Sequence, residues 1–171
     1  MNLRDAQKPL KDRYREDPDA SRITLVAHGG QGDAPIACSV DLGRAMYEAQ
    51  AHAGVGGAGT GACSGDLLLG ALAACAQITC QMVAASMEIA VEDVHVTVEG
   101  DLDLRGTLGV ARDAPVGFES IRLRFEIAAP EASQPQLAEL VEKTKRYCVV
   151  LQTLIAPPSI ETSVAVTRPP F

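Results

Sequence analysis

The longest stretch of the chain without a charge, residues 67–87, predicts a helix buried in the core. It reads LLLGALAACAQITCQMVAASM and is apolar on nearly every side, which is typical of a helix covered by other elements. Ser64 can cap its start, and Asp66 lies near the positive end of the helix dipole. We expect the helix to end near Met87 or Glu88.

The same stretch is long enough to cross a bilayer, so a membrane span is the competing interpretation. Polar side chains interrupt it at Gln77, Thr79 and Gln81, and acidic residues stand at both of its ends. No basic cluster flanks either end, whereas an oriented span normally has one. The pattern therefore favours a central helix covered by a sheet.

Alternating apolar and polar positions predict strands before and after this helix. Two early segments, 22–27 and 36–42, predict a hairpin around a turn at 29–33, and residues 105–110 predict a further strand or turn. Clearer alternation follows the helix at residues 94–98, 121–127 and 160–166.

Two more segments have the spacing of helices. Residues 3–16 carry a thin apolar stripe interrupted by Pro9, and residues 134–147 carry Leu137 and Leu140 on one face. The order of strands, helix, strands, helix and a closing strand predicts an α+β fold. The sequence contains no evident domain boundary, so we expect a single domain over residues 1–171, with residues 1–19 as an N-terminal helical extension.

Charge and composition exclude several classes of function. The 171 residues carry a net charge of −7, which argues against a nucleic-acid partner, since phosphates are bound by clustered cations. The absence of Trp and the scarcity of Tyr and Phe also leave no platform for base stacking. The polar N-terminus lacks an apolar signal segment, so we expect a cytoplasmic protein.

A glycine-rich segment, residues 54–65, leads into the apolar helix and invites comparison with a phosphate-binding loop. No clear strand precedes it and no Lys-Ser or Lys-Thr pair follows, so tight turning and close packing explain the glycines better. Cys75 and Cys80 lack ligand spacing, and the three histidines do not pair with them along a helix. We therefore predict neither a cofactor nor a metal.

The candidate chemistry lies in five cysteines: Cys38, Cys63, Cys75, Cys80 and Cys148. Because the cytoplasm is reducing, a disulfide among them is expected to be transient and catalytic. On local physics Cys63 is best placed to form a thiolate, since it lies at the start of the apolar helix. Cys75 lies in mid-helix and needs a positive or hydrogen-bonding neighbour from elsewhere. Cys80 faces another direction, Cys38 is most simply a core residue, and inert packing stays open for each thiol.

Two segments resemble the motifs of the OsmC/Ohr family, the osmotically inducible protein C and organic hydroperoxide resistance proteins. Residues 65–75, GDLLLGALAAC, resemble the family's helix motif, and residues 142–148, EKTKRYC, followed by Thr153 and Leu154, resemble its second cysteine motif. The resemblance covers about residues 20–167. It implies an intertwined homodimer of α+β subunits, with antiparallel sheets around a long central helix and two sites near the dimer interface.

The resemblance also implies a reaction. Cys75 would attack an organic hydroperoxide and become a sulfenic acid, and Cys148 would condense with it to a disulfide. A dithiol reductant such as a lipoylated protein would then reopen the disulfide.

Three positions depart from the family pattern. The family's thiolate-stabilising Arg corresponds to Gln31, its supporting Glu corresponds to Gly65, with Asp66 next to it, and its Pro after the second cysteine is Val149. Without that cation, Cys75 loses the main reason to ionise. Three alternatives follow: Arg44, Arg22 or another Arg substitutes, Cys63 carries the chemistry instead, or the peroxidase activity is weak.

The leading hypothesis is an OsmC-like thiol peroxidase in which Cys75 or Cys63 is peroxidatic, Cys148 is resolving and Asp66 orients a partner. The alternative is a dimeric binding protein that holds a small apolar ligand in a groove between its central helices, and the missing Arg and Glu favour it. A third interpretation is a dimer whose cysteines only pack.

Overall fold

A computed structural model describes residues 3–17, 20, 22, 24, 28–31, 37–41 and 45–165. Side chains are described throughout residues 45–165 and for part of the earlier ranges. Its elements are α1 (Leu3–Glu16), β1 (His28–Gln31), β2 (Ala37–Asp41), β3 (Met46–Gln50), α2 (Ser64–Ser86), β4 (Asp93–Asp101), α3 (Leu104–Thr107), β5 (Ser120–Ala128), α4 (Gln134–Tyr147) and α5 (Val149–Ile155).

The strands of the described residues form two antiparallel sheets. The first has the order β1-β2-β3, with Val40 opposite Gly29 on one side and Tyr47 on the other. The second pairs β4 with β5, with Val96 opposite Phe125. The separation of antiparallel sheets and helices along the chain confirms the predicted α+β class, built around the long helix α2.

One face of α2 forms the core against the β4–β5 sheet. Its buried residues recur three or four positions apart, the spacing that lines one side of a helix: Leu72, Ala76, Cys80, Val83 and Ala84. The C-terminal part of this face, from Cys80 to Ala84, packs in one buried cluster with Leu140 of α4. The N-terminal part, Leu72 and Ala76, packs in a second cluster with Cys148. The interruption at Gln77 has a structural reason, because its side-chain amide donates to the Val94 carbonyl at 2.6 Å and fastens α2 to β4.

The opposite face of α2 is covered only in part by the described chain, where α1 contacts it. Ile78 is 56% exposed and Met82 is 40% exposed. By length and composition alone α2 could cross a membrane. In this structure the buried face of α2 lies on the β4–β5 sheet and on α4 and α5, which agrees with the prediction of a central helix covered by a sheet.

Several boundaries follow the sequence closely. The second predicted helix is α4, with the predicted range, and Ser133 starts it with a capping box to Gln136. The strands predicted at 94–98 and 121–127 are β4 and β5. Helix α2 begins at Ser64, but Cys63 is its N-cap because it is the last residue with extended backbone angles; the expectation that Ser64 caps the helix was wrong by one residue.

Other expectations fail in the described residues. Residues 29–31 belong to β1 and not to a turn. Strand pairing uses backbone groups, so the two glycines of this segment can still pair with β2. Residues 104–107 form the short helix α3 because the Asp103 carboxylate accepts from the Arg105 amide and caps it, and residues 108–109 form a turn, so the prediction of a strand or turn at 105–110 is confirmed only for that turn. The strand predicted at 22–27 lies almost wholly outside the described residues.

The predicted closing strand is absent from residues 160–165. An alternating segment becomes a strand only when another strand accepts its backbone hydrogen bonds, and neither described sheet includes this one. Ile160 is 84% exposed and Val164 is 89% exposed, so the apolar half of the alternation has nothing to cover it within the described chain.

The glycine-rich segment before α2 serves backbone geometry. Gly56 has a φ of 92°, in the left-handed region that side chains disfavour, and it ends a short 3₁₀ turn. A Cβ atom at Gly57 would lie 1.6 Å from the Ala51 carbonyl oxygen. Both observations support the interpretation of these glycines as residues for turning and close packing.

We expect Leu140→Ala to lower the free energy of unfolding by about 2–5 kcal/mol, because Leu140 is fully buried between α2 and α4 and its truncation leaves a cavity. Urea denaturation followed by circular dichroism measures the change. Leu108→Ala is the control, since Leu108 is exposed and should change stability by no more than about 0.5 kcal/mol. Equal losses in the two variants would contradict the core described above.

Candidate functional site

Helix α2 brings Cys75 to the junction between α4 and α5. Cys148 ends α4 and also starts α5, with backbone angles of −72° and 106° that break the helical run. Its amide donates to the Thr144 carbonyl at 2.9 Å, which fixes the turn. Cys148 is fully buried against Leu72 and Ala76, and Cys75 is half-buried beside them.

The Cys75 sulfur is hydrogen-bonded on several sides. Burial alone would raise the pKa of this thiol. The Val150 amide and the Cys148 thiol donate to the sulfur, and the Thr79 hydroxyl and the Val149 amide add two further bonds. Together they outweigh burial, so the pKa of Cys75 lies below its ordinary value. The structure therefore supplies the hydrogen-bonding neighbours that Cys75 was expected to need.

Cys148 responds in the opposite direction. Burial raises its pKa, and the Leu151 and Val150 amides that donate to its sulfur offset only part of this effect. The neighbouring Cys75 raises the Cys148 pKa further, because the Cys148 thiol donates its proton in a hydrogen bond to the Cys75 sulfur and because two adjacent negative charges would repel. Of the two thiols in contact, Cys75 is the one that ionises first, and Cys148 keeps its proton to donate.

The backbone donors in this site have a common origin. The first amides of a helix have no carbonyl one turn earlier to accept from them. At the start of α5, the Gln152 amide donates to the Cys148 carbonyl and so begins the intrahelical hydrogen bonds. The earlier amides of Val149 and Val150 are left to donate to the cysteine sulfurs. Neutral donors thus take the place that a cation was expected to fill.

The arginine expected to replace the family's cation is not among these donors. Arg22 is exposed, and Arg44 lies outside the described residues. No arginine of the described chain is among the groups that lower the Cys75 pKa.

Cys63 occupies a separate place at the start of α2. Its amide donates to the Asp66 carboxylate at 2.8 Å, and this bond, followed by one from the Cys63 thiol, lowers the Asp66 pKa. Cys63 lies twelve residues before Cys75, so the rise of the helix separates the two by about 18 Å. A disulfide needs Cα atoms within about 7 Å, so the described chain brings Cys75 to Cys148 but leaves Cys63 apart from both.

The other cysteines lie away from this pair. Cys80 is fully buried in the cluster with Leu140, and burial raises its pKa although the Thr144 hydroxyl opposes the effect. The side chain of Cys38 is outside the described set. Among the described residues no group of three His, Cys, Asp or Glu side chains is arranged to hold a metal ion.

An apolar cleft of about 290 Å³ opens beside the thiol pair. Leu72 and Leu151 line it and also belong to the buried cluster that holds Cys148. Leu123, Leu154 and Ile155 supply much of the remaining wall.

Sequence reasoning missed Thr79 and the amides of Val149 and Val150 as parts of the site. Thr79 stands four residues after Cys75, a spacing that places both on one helix face, so the signal was present. The amides had no such signal, since their role depends on where α5 begins relative to α2.

Fold and site together define a class: an α+β protein in which a long apolar helix carries one thiol against a second thiol at a helix junction. A family model described as OsmC-like protein matches residues 57–163, more than half of the chain. The chain therefore belongs to the OsmC-like protein family, as its cysteine motifs indicated. No curated protein sequence matches it.

Solved structures share this fold at low sequence identity. An OsmC-like protein from Mycoplasma pneumoniae has a TM-score of 0.67 at 19% identity, covering 79% of this chain and 89% of its own. An organic hydroperoxide resistance protein from Elizabethkingia anophelis gives 0.64 at 19% identity, covering 80% and 91%. One from Legionella pneumophila, OsmC, gives 0.61 at 21% identity, covering 80% and 92%.

We expect Thr79→Val to raise the pKa of Cys75, because the variant keeps the shape of the side chain and removes one donor to the thiolate. The rate of Cys75 alkylation by iodoacetamide, followed against pH by mass spectrometry, should rise at higher pH than in the wild type. Thr97→Val is the matched control, on the exposed face of β4. An unchanged profile in Thr79→Val would contradict the assigned hydrogen bond.

Proposed function

We propose that the protein is a thiol-dependent peroxidase that reduces organic hydroperoxides. The observation that carries the proposal is the contact of Cys75 with Cys148, in which Cys75 has the lowered pKa and Cys148 the raised one. A peroxidatic cysteine must be a thiolate, and a resolving cysteine must lie within bonding reach and hold a proton until it is used.

The proposed cycle has three steps. The Cys75 thiolate attacks the distal oxygen of the hydroperoxide, the O–O bond breaks, and the alkoxide takes a proton to leave as an alcohol. The Cys148 sulfur then attacks the Cys75 sulfenic acid, forming the disulfide and releasing water. A dithiol reductant, by our proposal a lipoylated protein, reduces the disulfide by exchange and leaves as its own disulfide.

Within this proposal Cys75 is peroxidatic and Cys148 is resolving. Cys63 is the weaker candidate for the first role, because it lies about 18 Å along the helix from Cys75 and its thiol bonds to the Asp66 carboxylate. That carboxylate already occupies the positive end of α2, and we assign Asp66 to capping the helix.

The walls of the site favour organic substrates. The cleft beside the thiols is lined mainly by leucine and isoleucine side chains, which would gain free energy from covering the alkyl group of a hydroperoxide. The relatives from Elizabethkingia anophelis and Legionella pneumophila are named organic hydroperoxide resistance proteins, which agrees with this choice.

We also propose that the protein works as a cytoplasmic homodimer. The exposed Ile78 of α2, together with the exposed Ile160 and Val164, is the kind of surface that a second copy would cover. If residues 160–165 paired as a strand with a sheet of the partner, their backbone hydrogen bonds would be made and their exposed apolar side chains would be covered.

We expect wild-type protein to consume cumene hydroperoxide with dihydrolipoamide as reductant, and Cys75→Ser to lose turnover by at least about a hundredfold, because the nucleophile is gone. Cys148→Ser should consume one equivalent and accumulate a Cys75 sulfenic acid that dimedone traps. Peroxide consumption and mass spectrometry of the Cys75 peptide measure both outcomes.

Cys63→Ser is the control and should keep turnover, since Cys63 lies outside the proposed cycle. Turnover retained in Cys75→Ser but lost in Cys63→Ser would refute the assignment. Absence of peroxide consumption by the wild type would instead favour the binding-protein alternative, for which the cysteines are dispensable.

A further inference from the structure

A second and larger cavity lies between α1, α2 and α4, away from the cleft that the leucines line. It has a volume of about 710 Å³, within the range that small-molecule sites occupy. Helix α1 forms one wall with Lys11 and Tyr14, and α4 forms the facing wall with Lys143 and Tyr147. We call this cavity the α1 groove.

The α1 groove has an apolar floor and a basic rim. Met82 and Val83 of α2 form the floor, together with Met87, which follows the end of the helix. The rim carries the ammonium groups of Lys11 and Lys143, and no carboxylate belongs to the described lining. This is a local reversal of sign in a chain whose net charge is −7.

The positive charge at the rim is cancelled only in part, since Glu139 pairs with Lys143. Lys143 bonds Glu139 at 2.7 Å, but an ammonium has three donors and two of them are left for another acceptor. Arg146 lies over the Tyr147 ring at 5.6 Å and adds a third cation at the same end.

We infer that the α1 groove binds an amphipathic carboxylate, with its alkyl chain on the methionine floor and its carboxylate between Lys11 and Lys143. The apolar floor and the two lysines select this class over other amphiphiles. A neutral amphiphile would gain nothing from the lysines, and a cationic one would be repelled by them. The family match begins at residue 57, so the wall that α1 provides belongs to this chain and not to the matched segment.

The α1 groove also meets the thiol site at one residue. Thr79 lines the groove and donates to the Cys75 sulfur. A bound alkyl chain therefore reaches the side chain that helps to hold the Cys75 thiolate. The binding inference stands without peroxidase chemistry, because a carboxylate with no oxidising group is sufficient to occupy the groove.

Titration calorimetry of the full-length protein with dodecanoate, below its critical micelle concentration, tests the inference. We expect dodecanoate to bind and 1-dodecanol and dodecyltrimethylammonium to bind at least about tenfold more weakly, the range set by a charge-assisted hydrogen bond. The double variant Lys11→Met/Lys143→Met should weaken dodecanoate about tenfold and leave dodecanol unchanged, since methionine keeps the apolar stem.

Lys8→Met/Lys145→Met is the matched control. These two lysines stand on the same helices and, like Lys143, form ion pairs on their own helix, but neither lines the groove, so dodecanoate affinity should stay at the wild-type value. Equal weakening in both double variants, or equal affinity for all three amphiphiles, overturns the inference.

The position of the ligand is checked by ¹³C-methyl NMR of the methionines. Dodecanoate should shift the Met82 and Met87 signals and leave that of Met46 in β3 unchanged. No binding at all, with Met82 and Met87 signals that depend on protein concentration, would show that a second copy covers the groove, and would also overturn the inference.

Discussion

The site depends on one packing constraint, the contact of helix α2 with the junction of α4 and α5. The buried face of α2 is fixed against β4 and β5, so its rotation about its own axis is not free. With that face in place, Cys75 meets the turn at Cys148, and the first amides of α5 converge on the sulfur. A rotation of α2 by one residue, about 100°, would remove Cys75 from Cys148 and from the α5 amides, whereas Thr79, on the same helix, would move with it.

This arrangement shows how hydrogen bonds from neutral groups of the described chain lower the pKa of a cysteine. A cation lowers the pKa of a thiol through an interaction that persists over several ångströms. Neutral hydrogen-bond donors act only at contact distance, so several of them are needed for a comparable effect. The donors at Cys75 come from three different elements, so their sum is available only in the folded chain. The loss of the family's Arg is therefore compatible with an ionised Cys75, at the cost of a stricter demand on helix placement.

The sequence predicted those parts of the molecule that repeat a simple period over many residues. Helix α4 and strands β4 and β5 were found because each buries one face and shows the matching period, whereas α2 was found from its long run of uncharged residues. The closing strand was predicted wrongly for the described residues 160–165, because alternation indicates that a segment can pair but does not identify the strand with which it pairs. The pairing of Cys75 with Cys148 came only through family resemblance, because seventy-three positions separate them in the chain and no local pattern encodes such a contact.

Two cysteines of α2 show why the reactive thiol cannot be identified from the helix alone. Cys75 and Cys80 lie five residues apart in the same uncharged segment, and burial raises the pKa of both. Cys80 receives a single opposing hydrogen bond, from Thr144, and its pKa stays raised. Cys75 receives four, one from Thr79 of its own helix and three from Cys148, Val149 and Val150, and its pKa is lowered, so the difference between a packing residue and a candidate nucleophile is the number of donors that reach the sulfur.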